Sequence, residues 1–85
     1  ENHMIKVVFF AALREQLNCH GLSMSSDNIH TISDLKTALA HKGDVWQQAF
    51  DNQSLLAAIN HDMVNHNEVI NAGDEVAFFP PVTGG

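Results

Sequence analysis

The chain ends in the stretch Gly73-Asp74-Glu75-Val76-Ala77-Phe78-Phe79-Pro80-Pro81-Val82-Thr83-Gly84-Gly85. Its turn residues precede an alternating run from Glu75 to Phe79, which predicts a strand that buries Val76 and Phe78. Two prolines then end the strand and stiffen the backbone that follows it. We therefore expect residues 80–85 to leave the folded body as a flexible tail whose first part is extended.

The end of this tail carries no charged side chain. Val82 and Thr83 favour extended backbone because they are β-branched. Gly84 and Gly85 leave only backbone, which can thread a channel too narrow for a Cβ atom. The α-carboxylate of Gly85 is thus suited to being presented to the active site of another protein. A frayed terminus without function is the alternative, because chain ends are often disordered.

Length and composition predict one small domain. The chain has 85 residues, of which 45% are hydrophobic, enough for a modest core. We assign residues 4–85 to this domain and interpret residues 1–3, which precede Met4, as a cloning remnant. The single cysteine excludes an intramolecular disulfide, and no apolar run has the length of a membrane span. We expect a cytoplasmic protein that binds no membrane.

Charge narrows the class of partner. The formal net charge is −6, with 4 lysines and arginines against 10 acidic residues. Nucleic acid is an unsuitable partner, because neutralising phosphates requires clustered cations. An acidic domain is better suited to a protein partner with a basic surface.

Periodicity predicts an α+β domain with one principal helix on one face of a sheet. Strands are expected at 5–10, 22–24, 55–59, within 60–68 and at 75–79, and helices at 11–18, 31–42 and 44–51. The principal helix begins with the capping-box pattern of Thr31 and Asp34 and is expected to end at Gly43. Gly21 is expected to stop the first helix. The buried face of the sheet is expected to carry Ile5, Val7, Phe9, Val76 and Phe78.

Strand phase also predicts an exposed aromatic pair. The charged residues Lys6 and Glu75 indicate which face of their strands is exposed to solvent. Phe10 and Phe79 each lie four residues further along the same strand, so they are expected to point to that solvent-exposed face. Exposed aromatics near the root of the tail indicate a protein-binding surface, although isolated exposed aromatics are also common.

Three segments together resemble the small, sulfur-carrying subunit of molybdopterin synthase, of the ubiquitin-like β-grasp fold. They are Met4-Ile5-Lys6-Val7 with Phe9-Phe10-Ala11, Leu55-Leu56-Ala57-Ala58 with Asn60, and the final stretch from Gly73 to Gly85. The resemblance covers essentially all of residues 4–85. It implies a mixed sheet of about five strands.

The resemblance implies a reaction at Gly85. An adenylating enzyme of the E1-like class would use ATP and magnesium to convert the terminal carboxylate into an acyl-adenylate. Sulfur from a persulfide donor would displace AMP, leaving a thiocarboxylate that is anionic at neutral pH. Its sulfur would pass to cyclic pyranopterin monophosphate, and the dithiolene product would need two deliveries. The chain itself would bind no cofactor and would not be catalytic alone.

The resemblance also implies partners. A large subunit would receive the tail, in a heterotetramer of two small and two large subunits. Phe10 and Phe79, from strand phase, and Met63, from its place in the resemblance, are the expected interface residues. They are expected to act together with the tail residues Pro80, Pro81, Val82, Thr83 and Gly84.

Two other functions remain open. A sulfur carrier of the thiazole pathway has the same fold and glycine pair, although the Phe-Phe-Pro-Pro approach to the tail argues against it. A ubiquitin-like protein modifier would instead be conjugated to lysines.

Other candidate chemistry is weaker. Cys19 lies beside His20 without a nearby fixed cation, which is typical of an ordinary thiol rather than a sulfur carrier. The spacing of His61, Asp62 and His66 fits no standard metal site, so we expect a solvated loop and no metal.

Overall fold

The structure is a computed structural model that describes residues 3–51 and 54–81. Its elements in chain order are β1 (Met4–Phe9), α1 (Ala11–Leu17), β2 (Gly21–Ser25), α2 (Ile32–Ala40), α3 (Asp44–Phe50), β3 (Leu56–Ile59), β4 (Asp62–Val64) and β5 (Glu75–Phe79). The strands form one sheet in the order β2-β1-β5-β3-β4. The α+β class and the five-stranded sheet are confirmed.

The first and last strands lie side by side at the centre of the sheet. β1 and β5 run parallel, with Val7 opposite Val76 and Phe9 opposite Phe78. The other neighbouring strands are antiparallel, so the sheet is mixed. The expected register is confirmed, because all five residues assigned to the buried face are at most 1% exposed.

The longest helix of the described chain, α2, covers this buried face. Ile32, Leu35 and Leu39 are spaced along one stripe and are fully buried in the same core as the β1 and β5 side chains. Burying a large aliphatic side chain contributes about 1.5–3 kcal/mol. The core therefore joins α2 to the central pair of strands.

The capping box at the start of α2 is confirmed, with Asp in place of Glu or Gln. Thr31 Oγ1 accepts a hydrogen bond from the Asp34 backbone N–H at 3.2 Å. Asp34 Oδ2 accepts from the backbone N–H groups of His30 and Thr31, at 3.0 and 3.2 Å. The hydrogen bond from His30 is the largest cause that lowers the pKa of Asp34 below its usual 3.8.

Aromatic side chains of α3 complete the core at the tail end of the sheet. Phe50 lies 6.0 Å from Phe9 and 5.3 Å from Phe78, both edge to face. Trp46 lies 5.6 Å from Phe9, also edge to face. The expected short helix at 44–51 is thus confirmed as α3 and packs on the buried face of the sheet.

Two glycines have roles other than those expected. The first helix ends at Leu17 and is capped by Asn18 in the left-handed conformation, with φ of 52°. Gly21 instead begins β2 opposite Val8, where a Cβ atom would lie 2.5 Å from the Val7 carbonyl oxygen. Similarly, α2 ends at Ala40 with His41 as its cap, and Gly43 precedes α3.

Candidate functional site: an apolar sheet face beside the tail

The candidate site lies on the sheet face that the helices leave uncovered. In β5, Val76 and Phe78 are buried, whereas Glu75, Ala77 and Phe79 point to the opposite side and are half-buried. Phe79 is therefore on the face that strand phase predicted.

Phe10 lies next to Phe79 across the parallel pair. Phe9 is opposite Phe78, and the Phe10 N–H donates a hydrogen bond to the Phe78 carbonyl oxygen at 3.2 Å. Phe10 keeps an extended backbone, with φ of −126° and ψ of 159°, so it continues the alternation of β1. Its side chain is 48% exposed, which confirms the expected exposure.

Met63 reaches the same face through β3 and β4. Met63 is opposite Ala58, and Ala58 is opposite Ala77. Since directly paired residues point to the same side of a sheet, Met63 lies on the face of Ala77 and Phe79. Met63 is 60% exposed, a large value for an apolar side chain.

Together these residues form a continuous apolar surface, which we call the open-face patch. Its members are paired or adjacent across β1, β5, β3 and β4. They are Val8, Phe10, Leu56, Ala58, Met63, Ala77 and Phe79. Phe10 and Met63 are exposed, Ala58 is buried, and the other members are half-buried. An apolar surface that spans several strands and is partly exposed is typical of a protein-binding site.

Four members of this patch were absent from the expected interface, namely Val8, Leu56, Ala58 and Ala77. The signal for them was present in the sequence, because each shares a strand phase with Lys6, Asn60 or Glu75. What was missing was the order of the strands, which makes them neighbours.

Gly21 extends the open face toward the edge of the sheet. A shallow depression of about 340 Å³ lies there, bordered by Lys6, Val8 and Gly21. A side chain at position 21 would meet the Val7 carbonyl oxygen, and Val8 Cγ1 would lie 3.3 Å from its Cβ. Glycine therefore keeps the sheet intact and the depression open.

Charged groups lie at the far end of the open face. Lys6 is opposite Glu75 at the start of β5. Nε2 of His61 is 3.9 Å from Oε1 of Glu75, and the His61 side chain is exposed, whereas that of Glu75 is half-buried. The end of β5 from which the tail leaves is apolar, whereas its beginning is polar.

The tail begins at the apolar end of the patch. Pro80 and Pro81 follow Phe79 directly and are half-buried. The remaining expected site residues, Val82, Thr83, Gly84 and Gly85, lie outside the described residues.

The weaker candidates from the sequence are Cys19 and the group of His61, Asp62 and His66. Sγ of Cys19 donates a hydrogen bond to the Gly21 carbonyl oxygen at 3.4 Å and is half-buried. Within residues 3–51 and 54–81, no three histidine, cysteine or acidic side chains come together in a way that could hold a metal ion. No helix in these ranges is both long and apolar enough to cross a bilayer.

Comparisons with known proteins agree with this geometry. The family model described as the ThiS family matches residues 7–85. The molybdopterin synthase sulfur carrier subunit of Escherichia coli K12 is 43% identical over 82 residues, covering 96% of this chain and all of that protein.

Two solved structures have the same fold. SAMP1 from Haloferax volcanii superposes with a TM-score of 0.75 at 25% identity, covering 96% of this chain and 99% of that one. The complex of subunits 1 and 2 of molybdopterin-converting factor from Helicobacter pylori contains a chain with a TM-score of 0.66 at 22% identity. It covers 96% of this chain and 99% of that one. These two structures show the fold. The family model over residues 7–85 and the 43% identity over 96% of the chain show that the chain belongs to the ThiS family, together with the molybdopterin synthase sulfur carrier subunits.

Proposed function

We propose that this chain is the sulfur carrier subunit of a molybdopterin synthase. The observation that carries the proposal is the continuity of the open-face patch with the tail, through Phe79 and Pro80. A patch that binds a partner beside an extended tail would direct the end of that tail into the partner. The identity of 43% to a sulfur carrier subunit supports the same role.

The proposed chemistry takes place at the carboxyl carbon of Gly85. An E1-like enzyme with ATP and magnesium forms the acyl-adenylate, with release of pyrophosphate. The terminal sulfur of a persulfide then displaces AMP and forms an acyl disulfide with the donor. A second thiol of the donor cleaves this S–S bond, which releases the thiocarboxylate and leaves a disulfide on the donor. Its sulfur is transferred to cyclic pyranopterin monophosphate, and two such deliveries complete the dithiolene. The chain contributes the sulfur and a tail long enough to enter the partner's active site, and the partners contribute the catalytic groups.

The proposed docking site for the large subunit is the open-face patch. The Helicobacter pylori structure is described as a complex of subunits 1 and 2, which supports a large-subunit partner. We propose an assembly of two small and two large subunits. Phe10 and Met63 are exposed apolar residues of the patch, and Phe79 is half-buried beside Phe10 and directly before the tail. These three are the proposed anchors.

Mass spectrometry of the intact chain tests the carrier role. The chain is incubated with the adenylating enzyme, Mg-ATP and a sulfur donor. We expect the mass difference of one oxygen-to-sulfur exchange, followed by dithiolene formation when the large subunit and pterin are added. Deleting Gly85 moves the carboxyl group by about 3.5 Å. Since misplacement by about 1 Å can cost about a hundredfold in rate, the deletion should abolish product formation.

Cys19→Ser is the matched control, because it removes the only thiol and leaves the tail unchanged. It should accept sulfur as the wild-type chain does. Sulfur loading that requires Cys19, or undiminished product formation by the chain without Gly85, would refute the proposal.

A protein modifier is the second candidate. It is supported by the similarity to SAMP1, which is named a small archaeal modifier protein. Incubation of the tagged chain with cell extract and ATP separates the two functions. A ladder of conjugates on other proteins would indicate a modifier, whereas a single acyl-adenylate or thiocarboxylate species would indicate a carrier.

A further inference from the structure

A polar cleft lies between α2 and α3, on the helical side of the sheet and away from the open-face patch. Its volume is about 860 Å³, within the range of small-molecule sites. Its walls are formed by one side of α2, the length of α3 and a residue that follows β4. The lining side chains with polar groups are Ser33, Lys36, Thr37, His41, Asp44, Gln47, Asp51 and His66.

Lys36 is the unusual residue of this cleft. It is the only charged or polar residue in the described part of the chain that is buried, with 9% of its surface exposed. Burial lowers the pKa of its amine from the usual 10.5, because desolvation disfavours the charged form. A buried lysine normally pairs with a carboxylate or accepting oxygen.

Lys36 has no such partner among residues 3–51 and 54–81. It makes no ion pair or hydrogen bond there. No side-chain nitrogen or oxygen that is fully enclosed in this part of the chain lacks a partner. The amine of Lys36 must therefore retain contact with solvent, and the residue lines the cleft.

Two carboxylates line the same cleft without pairing with this amine. Asp44 begins α3 and Asp51 follows its last residue, so both ends of α3 carry an acid toward the cleft. Neither forms an ion pair with Lys36. Opposite charges thus line one cavity at distances too long for direct contact.

His41 adds a group of fixed orientation. Its Nδ1 lies 2.7 Å from the Thr37 carbonyl oxygen, which makes Nδ1 the donor and leaves Nε2 as an acceptor in the neutral ring. The Thr37 hydroxyl donates to the Ser33 carbonyl oxygen at 3.1 Å. The α2 wall of the cleft is therefore held in place by its own hydrogen bonds.

From this arrangement we propose that the cleft binds a small zwitterion. Its carboxylate pairs with Lys36, and its ammonium group pairs with Asp44 or Asp51. A simple anion would satisfy the lysine but would approach two carboxylates, and a simple cation would leave the lysine unpaired. A molecule that carries both a carboxylate and an ammonium group can pair with Lys36 and with an aspartate at the same time. Free amino acids carry these two groups.

NMR titration of the labelled full-length chain tests this site. The probes are glycine, β-alanine and γ-aminobutyrate, which separate the two charges by increasing lengths, with acetate and methylammonium as single-charge controls. We expect saturable shifts in the backbone amides of Ser33, Lys36 and Gln47 for at least one zwitterion. The single-charge probes should bind about tenfold more weakly or not at all.

Substitutions locate the binding. Lys36→Met keeps the apolar stem without the charge and should abolish the shifts. The matched control is Lys42→Met, because Lys42 lies over the Trp46 ring at 5.2 Å and does not line the cleft. Asp44→Asn and Asp51→Asn identify the carboxylate that holds the ammonium group, since only one of them should greatly weaken binding.

Thermal unfolding separates a binding role for Lys36 from a structural one. Because Lys36→Met keeps the buried stem and removes only an amine that contacts solvent, it should not lower the unfolding temperature in the absence of ligand. A lower unfolding temperature would show that the lysine stabilises the fold and would overturn the proposal. Unchanged shifts in Lys36→Met, equal binding of acetate, or no saturable binding of any zwitterion would each overturn it as well.

Discussion

Phe79 and Val45 are both apolar residues with accessible surface, but they lie on opposite sides of the molecule. Phe79 belongs to the open-face patch, and Val45 is 48% exposed on α3. We expect Phe79→Ala to weaken binding of the large subunit by about 2 kcal/mol or more, as for an aromatic hot spot. Isothermal titration calorimetry measures the change.

Val45→Ala is the control, and it should leave the dissociation constant unchanged. The thermal stability of Phe79→Ala should remain nearly intact, because its side chain lies outside the core. If the two variants bind the large subunit equally well, the open-face patch is not the docking surface.

Ala11 is strained at the point where β1 turns into α1. Its φ is 56°, in the left-handed region that disfavours residues with a Cβ atom. Ala11→Gly should therefore raise the free energy of unfolding by about 0.5 kcal/mol, the relief of strain less the entropy that glycine adds to the unfolded chain. Urea unfolding measures this.

Ala12→Gly is the matched control within the same helix, because Ala12 has no positive φ. It should lower stability by about 0.5–1 kcal/mol. A loss of stability in both variants would contradict the strain at Ala11.

At the scale of elements, the start of α2 depends on the ionised Asp34. Hydrogen bonds from the His30 and Thr31 N–H groups hold its pKa below 3.8. Because the pKa is lower in the folded chain than in the unfolded one, ionisation stabilises the fold above the unfolded-state value. This stabilisation is lost as the pH falls through the folded-state pKa.

We therefore expect the stability difference between the wild type and Asp34→Asn to be constant near neutral pH and to shrink below about pH 4. Urea unfolding at a series of pH values measures it. Asp27→Asn is the control, since no cap hydrogen bond to this exposed carboxylate is present in the described structure. A difference that persists unchanged in acid would show that the charge of Asp34 is not involved.

At the scale of the whole molecule, the net charge of −6 favours a basic partner surface. The association rate constant with the large subunit should fall severalfold as salt rises from about 0.01 to 0.15 M, because the Debye length shortens from about 30 to about 8 Å. Stopped-flow fluorescence of Trp46 or a label measures the rate.

Phe79→Ala should show the same dependence on salt with faster dissociation, because it alters the contact and not the long-range field. An association rate that does not change with salt, or that rises with it, would contradict a basic docking surface.

Features set by neighbouring residues were predictable from the sequence. Alternation in Glu75–Phe79 assigned each side chain of β5 to its face, because successive residues of a strand point to opposite sides. Thr31 and Asp34 marked the start of α2, because a capping box closes within four residues. Phe10 and Phe79 were placed on the uncovered face by the same local rule.

Features that depend on distant pairing were decided only by the tertiary structure. The residues next to Gly21 in the sequence do not reveal that a Cβ atom at this position would collide with the Val7 carbonyl oxygen. Ala58 joins Met63 to Ala77 only because β3 lies between β4 and β5. The cleft at Lys36 likewise depends on the packing of α2 beside α3. That packing places Lys36 and the two aspartates at the ends of α3 around one cleft without direct ion pairs. Local periodicity determines which way a side chain points, whereas the order and packing of the elements determine what it meets there.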